Sequence, residues 1–207
     1  MRTQVIQKIL GLFLSLFSLV LVPPLLIALW VSDGMAIAFA IAIAVILTLG
    51  LLLWFPVRSV EKELKLRDGF LVVASFWIVL GLVGSIPFLI TEHLGISTVD
   101  AIFESISGLT TTGATVIVGL DELPPSILFY RQLLQWLGGM GIIVLAVAIV
   151  PMLGIGGMQL YRAETPGPLK DAKLTPRITE TAKALWYIYL ALTVVCAISY
   201  GFAGMDL

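Results

Sequence analysis

Three long apolar runs without a charged side chain dominate the first half of this sequence. They cover Ile9–Ser32, Met35–Val57 and Gly69–Thr91, which are 24, 23 and 23 residues long. At ~1.5 Å per residue, a helix of such length exceeds the ~30 Å hydrocarbon core of a bilayer. Each run therefore predicts a transmembrane helix, and the chain is predicted to be an all-α integral membrane protein.

Two later segments predict further spans. They are Ser126–Pro151, which carries Arg131 in its first turns, and Ala184–Met205. Prolines lie inside or near the ends of two earlier spans, as Pro23-Pro24 in the first and as Pro87 in the third. Because proline removes a helix hydrogen-bond donor and clashes with the preceding turn, we expect a kink or an early helix end at both places.

The overall composition excludes several classes of function. Hydrophobic residues make up 59% of the chain and charged residues 12%, about half of the ~25% that soluble domains carry. The net charge of −1 implies no nucleic-acid partner. The chain has one cysteine, Cys196, and one histidine, His93, which argues against disulfides, thiolate metal sites and most hydrolytic chemistry. We predict neither an enzyme nor an organic cofactor.

A short polar segment, Thr110–Thr115, separates the third and fourth predicted spans. The preceding stretch, Ser97–Gly108, predicts one brief helix, because Ser97 and Asp100 have the spacing of a capping box and Gly108 is a natural helix end. Such a helix reaches only about 15 Å, half of the hydrocarbon core. A half-length helix followed by irregular backbone between two spans indicates a re-entrant pore loop.

The residue types of this loop suit the binding of a dehydrated monovalent cation. Backbone carbonyls of Thr110, Thr111, Thr112 and Gly113 can line up as hard oxygen ligands, and a threonine hydroxyl can serve as a further oxygen ligand. Gly113 permits positive φ, so that successive carbonyls can face one axis. The alternative is a buried threonine-rich loop that only hydrogen-bonds itself.

Arg131 raises the question of where an arginine in a spanning helix finds its partner. Glu104 on the short helix and Asp121 after the loop are the candidates. Such a pair would brace the filter from behind; alternatively, Arg131 extends to the lipid headgroups. The same helix carries three glycines that leave little side-chain bulk on one of its faces, namely Gly138, Gly139 and Gly141. We expect them to serve ordinary helix packing, in preference to close packing against the filter or bending of the helix.

Five motifs of this chain resemble a known family. They are Gly108–Thr115, Val118–Asp121, Phe129–Gln132, Trp136–Gly141 and Gly156–Glu164. Together they are similar to the first pore repeat of the TrkH-type bacterial potassium uptake proteins, members of the Trk/Ktr/HKT superfamily. The resemblance runs over nearly the whole chain.

The resemblance implies two N-terminal helices and then four helix–pore loop–helix repeats around one pore, each filter loop with one key glycine. This chain has only one such loop. It therefore divides into a two-helix unit (1–68), the first repeat (69–161, filter 110–115), and a cytoplasmic linker with the first helix of a second repeat (162–207). One loop cannot surround an ion. Either four copies assemble or the chain is a fragment of a longer protein, and the odd number of spans favours the fragment.

By resemblance, the expected function is potassium uptake, with Thr111 and Thr112 as the principal potassium ligands and Thr110 and Gly113 beside them. Potassium is then the substrate, and channel-like and proton- or sodium-coupled transport both stay open. The expected partners are the remaining repeats, a second copy in a homodimer, the bilayer and a cytosolic TrkA-type nucleotide-binding regulator. The basic segment Arg162–Arg177 is a candidate surface for that regulator. The competing class is a non-transporting membrane scaffold or assembly subunit.

The distribution of cations predicts how the chain lies in the membrane. Eleven of the twelve Lys and Arg residues fall on one side of the predicted spans, and only Arg131 falls elsewhere. The positive-inside rule then places the N-terminus in the cytoplasm and the filter mouth outside. The family resemblance implies that this membrane is the bacterial inner membrane. The acidic residues assigned to the outer side are Asp33, Glu92, Asp100, Glu104, Asp121, Glu122 and Asp206.

Overall fold

The computed structural model describes residues 3–60, 66–91, 94–153 and 178–204. All regular elements in these ranges are helical. Four helical stretches among them are long and apolar enough to cross a bilayer: Thr3–Val31, Ala36–Val57, Leu71–Ile90 and Lys183–Phe202. The prediction of an all-helical chain with several apolar spans is confirmed. The basic segment 162–177 lies outside the described residues.

The described residues form eight α-helices and two short 3₁₀ turns. The helices are α1 (Thr3–Val20), α2 (Val22–Val31), α3 (Ala36–Trp54), α4 (Leu66–Val83), α5 (Ile86–Ile90), α6 (Thr98–Leu109), α7 (Pro125–Leu153) and α8 (Ile178–Phe202), and the 3₁₀ turns are Phe55–Val57 and Leu120–Glu122. The chain separates into two units, Met1–Gly139 and Met140–Leu207. The first unit contains the candidate site.

Prolines interrupt the first and third spans as the sequence predicts. The first span is divided at Leu21, directly before Val22 and Pro23 open α2. The third span is divided at Gly84 and Ser85, just before Pro87 in the first turn of α5. Both breaks follow from the missing N–H and the ring clash of proline with the turn before it. The predictions for these two sites are confirmed.

The fourth and fifth predicted spans correspond to two long helices. The first of them falls inside α7, a continuous helix of 29 residues that would measure about 43 Å. The second overlaps α8, a helix of 25 residues. The helix ends at Phe202, three residues before the predicted end at Met205, which is outside the described residues.

Small residues allow α1 and α3 to approach each other closely. A Cβ atom on Gly50 would lie 2.7 Å from the Ser15 nitrogen and 2.9 Å from the Gly11 oxygen. A Cβ atom on Gly11 would lie 2.6 Å from the Trp54 nitrogen. Because backbone atoms stand on both sides of this contact, only glycine fits at these two positions, as in close helix pairs of membrane proteins.

Tyr130 attaches the first turns of α7 to the rest of the first unit. Its side chain is fully buried, and its ring lies 5.7 Å from that of Phe39 on α3 and 5.2 Å from that of Phe88 on α5. Its hydroxyl donates a 2.7 Å hydrogen bond to the carbonyl oxygen of Gly84, at the break between α4 and α5. The beginning of α7 is therefore fixed against two neighbouring helical segments.

Asp33 makes a second connection to α7. One carboxylate oxygen accepts a 3.0 Å hydrogen bond from the Met35 amide, and the other accepts a 3.1 Å bond from the Ser126 amide. Ser126 is in the first turn of α7, where amides have no partner within the helix and the helix dipole favours a negative charge. Asp33 thus joins the turn between α2 and α3 to the start of α7.

Candidate functional site

The short helix before the polar segment begins with the capping box that the sequence predicts. The Ser97 hydroxyl accepts a 3.2 Å bond from the Asp100 amide, and the Asp100 carboxylate accepts bonds of 3.0 and 2.7 Å from the Ser97 amide and hydroxyl. The Ser97 hydroxyl bond holds the pKa of Asp100 below its usual value. The helix, α6, has 12 residues and ends at Leu109, one residue beyond the predicted stop at Gly108. At about 18 Å it is too short to cross a bilayer.

The segment after α6 leaves the helical conformation through two left-handed residues. Gly113 has φ of 71°, as the sequence predicts for this glycine, and Thr111 has φ of 57°. A left-handed threonine is unfavourable by about 1–3 kcal/mol and persists only where surrounding contacts impose it. The conformation of the loop is therefore determined by its contacts.

Ser107 supplies several of those contacts, a role that the sequence analysis missed. Its carbonyl oxygen accepts hydrogen bonds from the amides of Thr112 and Gly113, at 3.0 and 3.3 Å. Its hydroxyl donates a 2.6 Å bond to the carbonyl oxygen of Ala114. The loop is thereby folded back onto the last turn of α6. A serine one residue before a helix-ending glycine was the only signal in the sequence.

The main-chain oxygens of residues 110–113 remain open. None of them accepts a hydrogen bond within the part of the chain that the structure describes, and all four residues are exposed. The hydroxyls behave differently, because that of Thr110 donates to the Ile106 carbonyl and lies 2.8 Å from that of Thr112. These two hydroxyls are thus engaged in hydrogen bonds within the chain, whereas the main-chain carbonyls of residues 110–113 are available to a ligand.

Glu104 and Arg131 form a buried ion pair behind this loop. Arg131 Nε lies 3.0 Å from Glu104 Oε2, and the two residues are 6% and 3% exposed. Of the two candidate partners for Arg131, the structure places Glu104 against it, and Arg131 does not extend to the surface of the unit. The other oxygen, Oε1, accepts bonds from the Thr115 hydroxyl at 2.5 Å and the Val116 amide at 2.7 Å.

One face of α7 lies along the end of α6 and the loop. A Cβ atom on Gly108 would lie 3.0 Å from Leu134 Cβ, and one on Gly113 would lie 3.9 Å from Gln135 Oε1. Gly138, one turn further, lies directly against the Leu109 carbonyl. The predicted site residues Thr110 to Gly113, Glu104 and Arg131 therefore belong to one continuous cluster built from α6, the loop and α7.

The exposed side of this cluster offers uncharged oxygen atoms as ligands. Within the described ranges, no three His, Cys, Asp or Glu side chains are arranged to hold a metal ion. The open ligands are main-chain oxygens, which suit weakly bound alkali cations rather than transition metals.

Apolar helices of spanning length, together with a short capped helix that ends in an exposed loop of open carbonyls, define an integral membrane protein. The family model described as "TrkH: Cation transport protein" matches residues 35–205, and the chain belongs to this family. The predicted resemblance is confirmed.

Named relatives agree with this assignment. The chain is 62% identical over 206 residues to the Trk system potassium uptake protein TrkH of Halomonas elongata, covering 100% of this chain and 43% of the relative. It is 59% identical to the protein of that name in Escherichia coli, with the same coverage. The crystal structure of the potassium transporter TrkH from Vibrio parahaemolyticus superposes with a TM-score of 0.81 at 57% identity, covering 100% of this chain and 41% of that one. The chain thus spans less than half the length of these relatives.

Proposed function

We propose that this chain contributes one quarter of a potassium-selective filter to a protein that takes up potassium across the bacterial inner membrane. The observation that carries the proposal is the set of open carbonyl oxygens at residues 110–113, on an exposed loop at the end of a short capped helix. Replacing the hydration shell of potassium requires several such oxygens. Thr111 and Thr112 are the principal ligands, with Thr110 and Gly113 beside them.

The orientation of α6 supports the same role. Its C-terminal end carries the negative end of the helix dipole and leads directly into the loop, so that it favours a cation there. In the complete protein, α6 and the loop form a re-entrant element between α4–α5 and α7. Irregular backbone at membrane depth is stable when it lines a water-filled path.

The remaining repeats, a homodimeric partner and a cytosolic nucleotide-binding regulator complete the proposed assembly. The relatives carry names of Trk system potassium uptake proteins and are more than twice as long as this chain, which leaves room for three more filter loops. The N-terminus lies in the cytoplasm because eleven of the twelve cations fall on that side. These names do not favour the alternative of a membrane scaffold.

The test uses the full-length protein that contains this chain, expressed in bacteria that lack other potassium uptake systems. Potassium and sodium uptake are measured for Gly113→Ala and for a matched control, Gly34→Ala. Both glycines have positive φ, 71° and 83°, and neither Cβ atom would meet a neighbour closer than 3.9 Å. The two substitutions therefore share the backbone strain of a left-handed alanine and differ in distance from the filter.

We expect Gly113→Ala to lower the potassium-to-sodium uptake ratio, and Gly34→Ala to leave it unchanged. The loss of selectivity would arise from the positive φ at Gly113, because no residue that the structure describes crowds the Cβ position of Gly113. Equal ratios for the two variants and the wild type would contradict the filter assignment. A full-length protein that moves no potassium would favour the scaffold instead.

A further inference from the structure

We infer that Gly138 on α7 is a specificity-determining positioning residue, because it lets the Leu109 carbonyl rest against the α7 backbone and thereby sets where the filter loop begins. The inference rests on the proposed function and extends it to a residue that lies outside the loop. The sequence predicts ordinary helix packing for this glycine, and the structure places it directly against the main chain that enters the loop.

The contact at Gly138 involves backbone atoms. A Cβ atom there would overlap the Leu109 carbonyl oxygen and would lie 2.8 Å from the carbonyl carbon and 3.1 Å from Thr111 Cγ2. A flexible side chain can turn away from a new methyl group, whereas a carbonyl can move only with its chain. An alanine at position 138 therefore has to displace Leu109 relative to α7.

The displacement would reach the filter oxygens because of how the loop is attached. Leu109 is the last residue of α6, and Thr111 two residues later is already held at φ of 57°. At its other end the loop is fixed by the bonds of Thr115 and Val116 to Glu104. With that end held by the buried ion pair, a shift at Leu109 changes the spacing of the carbonyls between them.

Gly81 on α4 offers a matched control. Like Gly138, it is a helical glycine that packs on α6, but a Cβ atom on it would meet Ile106 Cγ1 at 2.7 Å, with Cδ1 and Cβ of the same side chain next at 3.5 and 3.9 Å. The Ile106 side chain can change rotamer, so that alanine is accommodated there without moving the α6 backbone. Both substitutions also change helix propensity in the same direction.

The experiment compares Gly138→Ala, Gly81→Ala and Gly113→Ala in the full-length protein, by potassium and sodium uptake in the same bacterial strain. Membrane levels of each variant are measured alongside. We expect Gly138→Ala to lower the potassium-to-sodium ratio by about tenfold, as a free-energy change of about 1.4 kcal/mol would. Gly81→Ala is expected to keep the wild-type ratio.

The outcomes separate this inference from the proposed function. A wild-type ratio for Gly138→Ala beside a lowered ratio for Gly113→Ala overturns the role of Gly138 and leaves the filter assignment standing. Wild-type ratios for both overturn the two together. A lowered ratio for Gly81→Ala as large as that for Gly138→Ala also overturns the inference, since general helix packing then explains it.

A second variant covers the case in which Gly138→Ala does not reach the membrane. Gly108→Ala perturbs a neighbouring contact between α6 and α7 from the α6 side, because its Cβ would lie 3.0 Å from Leu134 Cβ and 3.8 Å from the Arg131 carbonyl oxygen. This milder contact is expected to lower the ratio in a protein that still folds. A wild-type ratio for a folded Gly108→Ala would then count against the inference.

Discussion

Glu104 and Arg131 are joined by a buried ion pair in which Oε2 lies 3.0 Å from Nε, while the second Glu104 oxygen holds the chain directly after the filter loop. One carboxylate thus connects α6, α7 and the residues Thr115 and Val116. Removing one partner of a buried ion pair strongly destabilises the protein, because the other charge stays buried without a counterion. The pair therefore has two measurable consequences, one for stability and one for the loop.

Replacing Glu104 with glutamine tests both consequences. Glu104→Gln keeps an oxygen that can accept the Thr115 and Val116 bonds but leaves the Arg131 charge without its counterion. We expect a loss of about 3–5 kcal/mol in stability, as for other broken buried pairs, together with a lower potassium-to-sodium ratio. Thermal unfolding of the purified full-length protein and uptake assays measure the two effects.

The control for this prediction is Glu122→Gln, a substitution of an exposed acid in the 3₁₀ turn after the loop. Adding Arg131→Met to Glu104→Gln removes the isolated charge, so the double variant should regain part of the lost stability. If Glu104→Gln behaved like Glu122→Gln, the ion pair would have no supporting role.

Thr115→Val removes one hydroxyl and nearly preserves the shape of the side chain. That hydroxyl donates to Glu104 at 2.5 Å and accepts a 3.1 Å bond from the Ile117 amide. A hydrogen bond to a charged group contributes about 1.5–3 kcal/mol, so we expect a measurable loss of thermal stability and a weaker potassium preference. Thr98→Val, at an exposed position on α6, should change neither. Equal melting temperatures and uptake ratios for the two variants would contradict this role of Thr115.

Features of the chain that depend on neighbours in sequence could be predicted, and those that depend on distant neighbours could not. The capping box at Ser97 and Asp100 and the break before Pro87 follow from local geometry. The contact between Gly138 and Leu109 requires knowing which face of α7 meets the loop. Since the apolar residues of α7 are spread around the helix and mark no single face, its sequence does not show which side meets the loop.

The pairing of Arg131 shows the same limit. The sequence offers Glu104 on the short helix and Asp121 after the loop as partners for Arg131 and gives no ground for choosing between them. The choice depends on α6 packing so that Glu104, and not the exposed Asp121, faces α7. Ser107 was missed because its loop contacts form only once the chain reverses at Thr111.

Asp33 should contribute to stability through the start of α7. Asp33→Ala removes both acceptors, so the amides of Met35 and Ser126 lose the bonds seen in the structure. Loss of a capping side chain costs about 1 kcal/mol, and we expect a corresponding drop in the melting temperature of the full-length protein. Asp33→Asn keeps one acceptor oxygen and should lie between Asp33→Ala and the wild type. An unchanged melting temperature for Asp33→Ala would show that water replaces the carboxylate without loss.

Tyr130→Phe tests whether the hydroxyl at the break between α4 and α5 stabilises the first unit separately from the filter. The substitution keeps the ring contacts with Phe39 and Phe88 but leaves the buried Gly84 carbonyl without its donor. An unsatisfied buried acceptor costs about 1–3 kcal/mol, so the melting temperature should fall, whereas Tyr187→Phe at an exposed position on α8 should not lower it.

The potassium-to-sodium uptake ratio distinguishes the role of Tyr130 from that of the adjacent Arg131. The Tyr130 hydroxyl bonds to Gly84 and makes no hydrogen bond to the loop, while the Arg131 side chain reaches the carboxylate that holds Thr115. Tyr130→Phe should therefore lower stability with a nearly unchanged potassium-to-sodium ratio, and Glu104→Gln should change both. Tyr130→Phe could instead lose as much selectivity as Glu104→Gln. The start of α7 would then move as one body with the filter, and stability and selectivity would not belong to separate side chains.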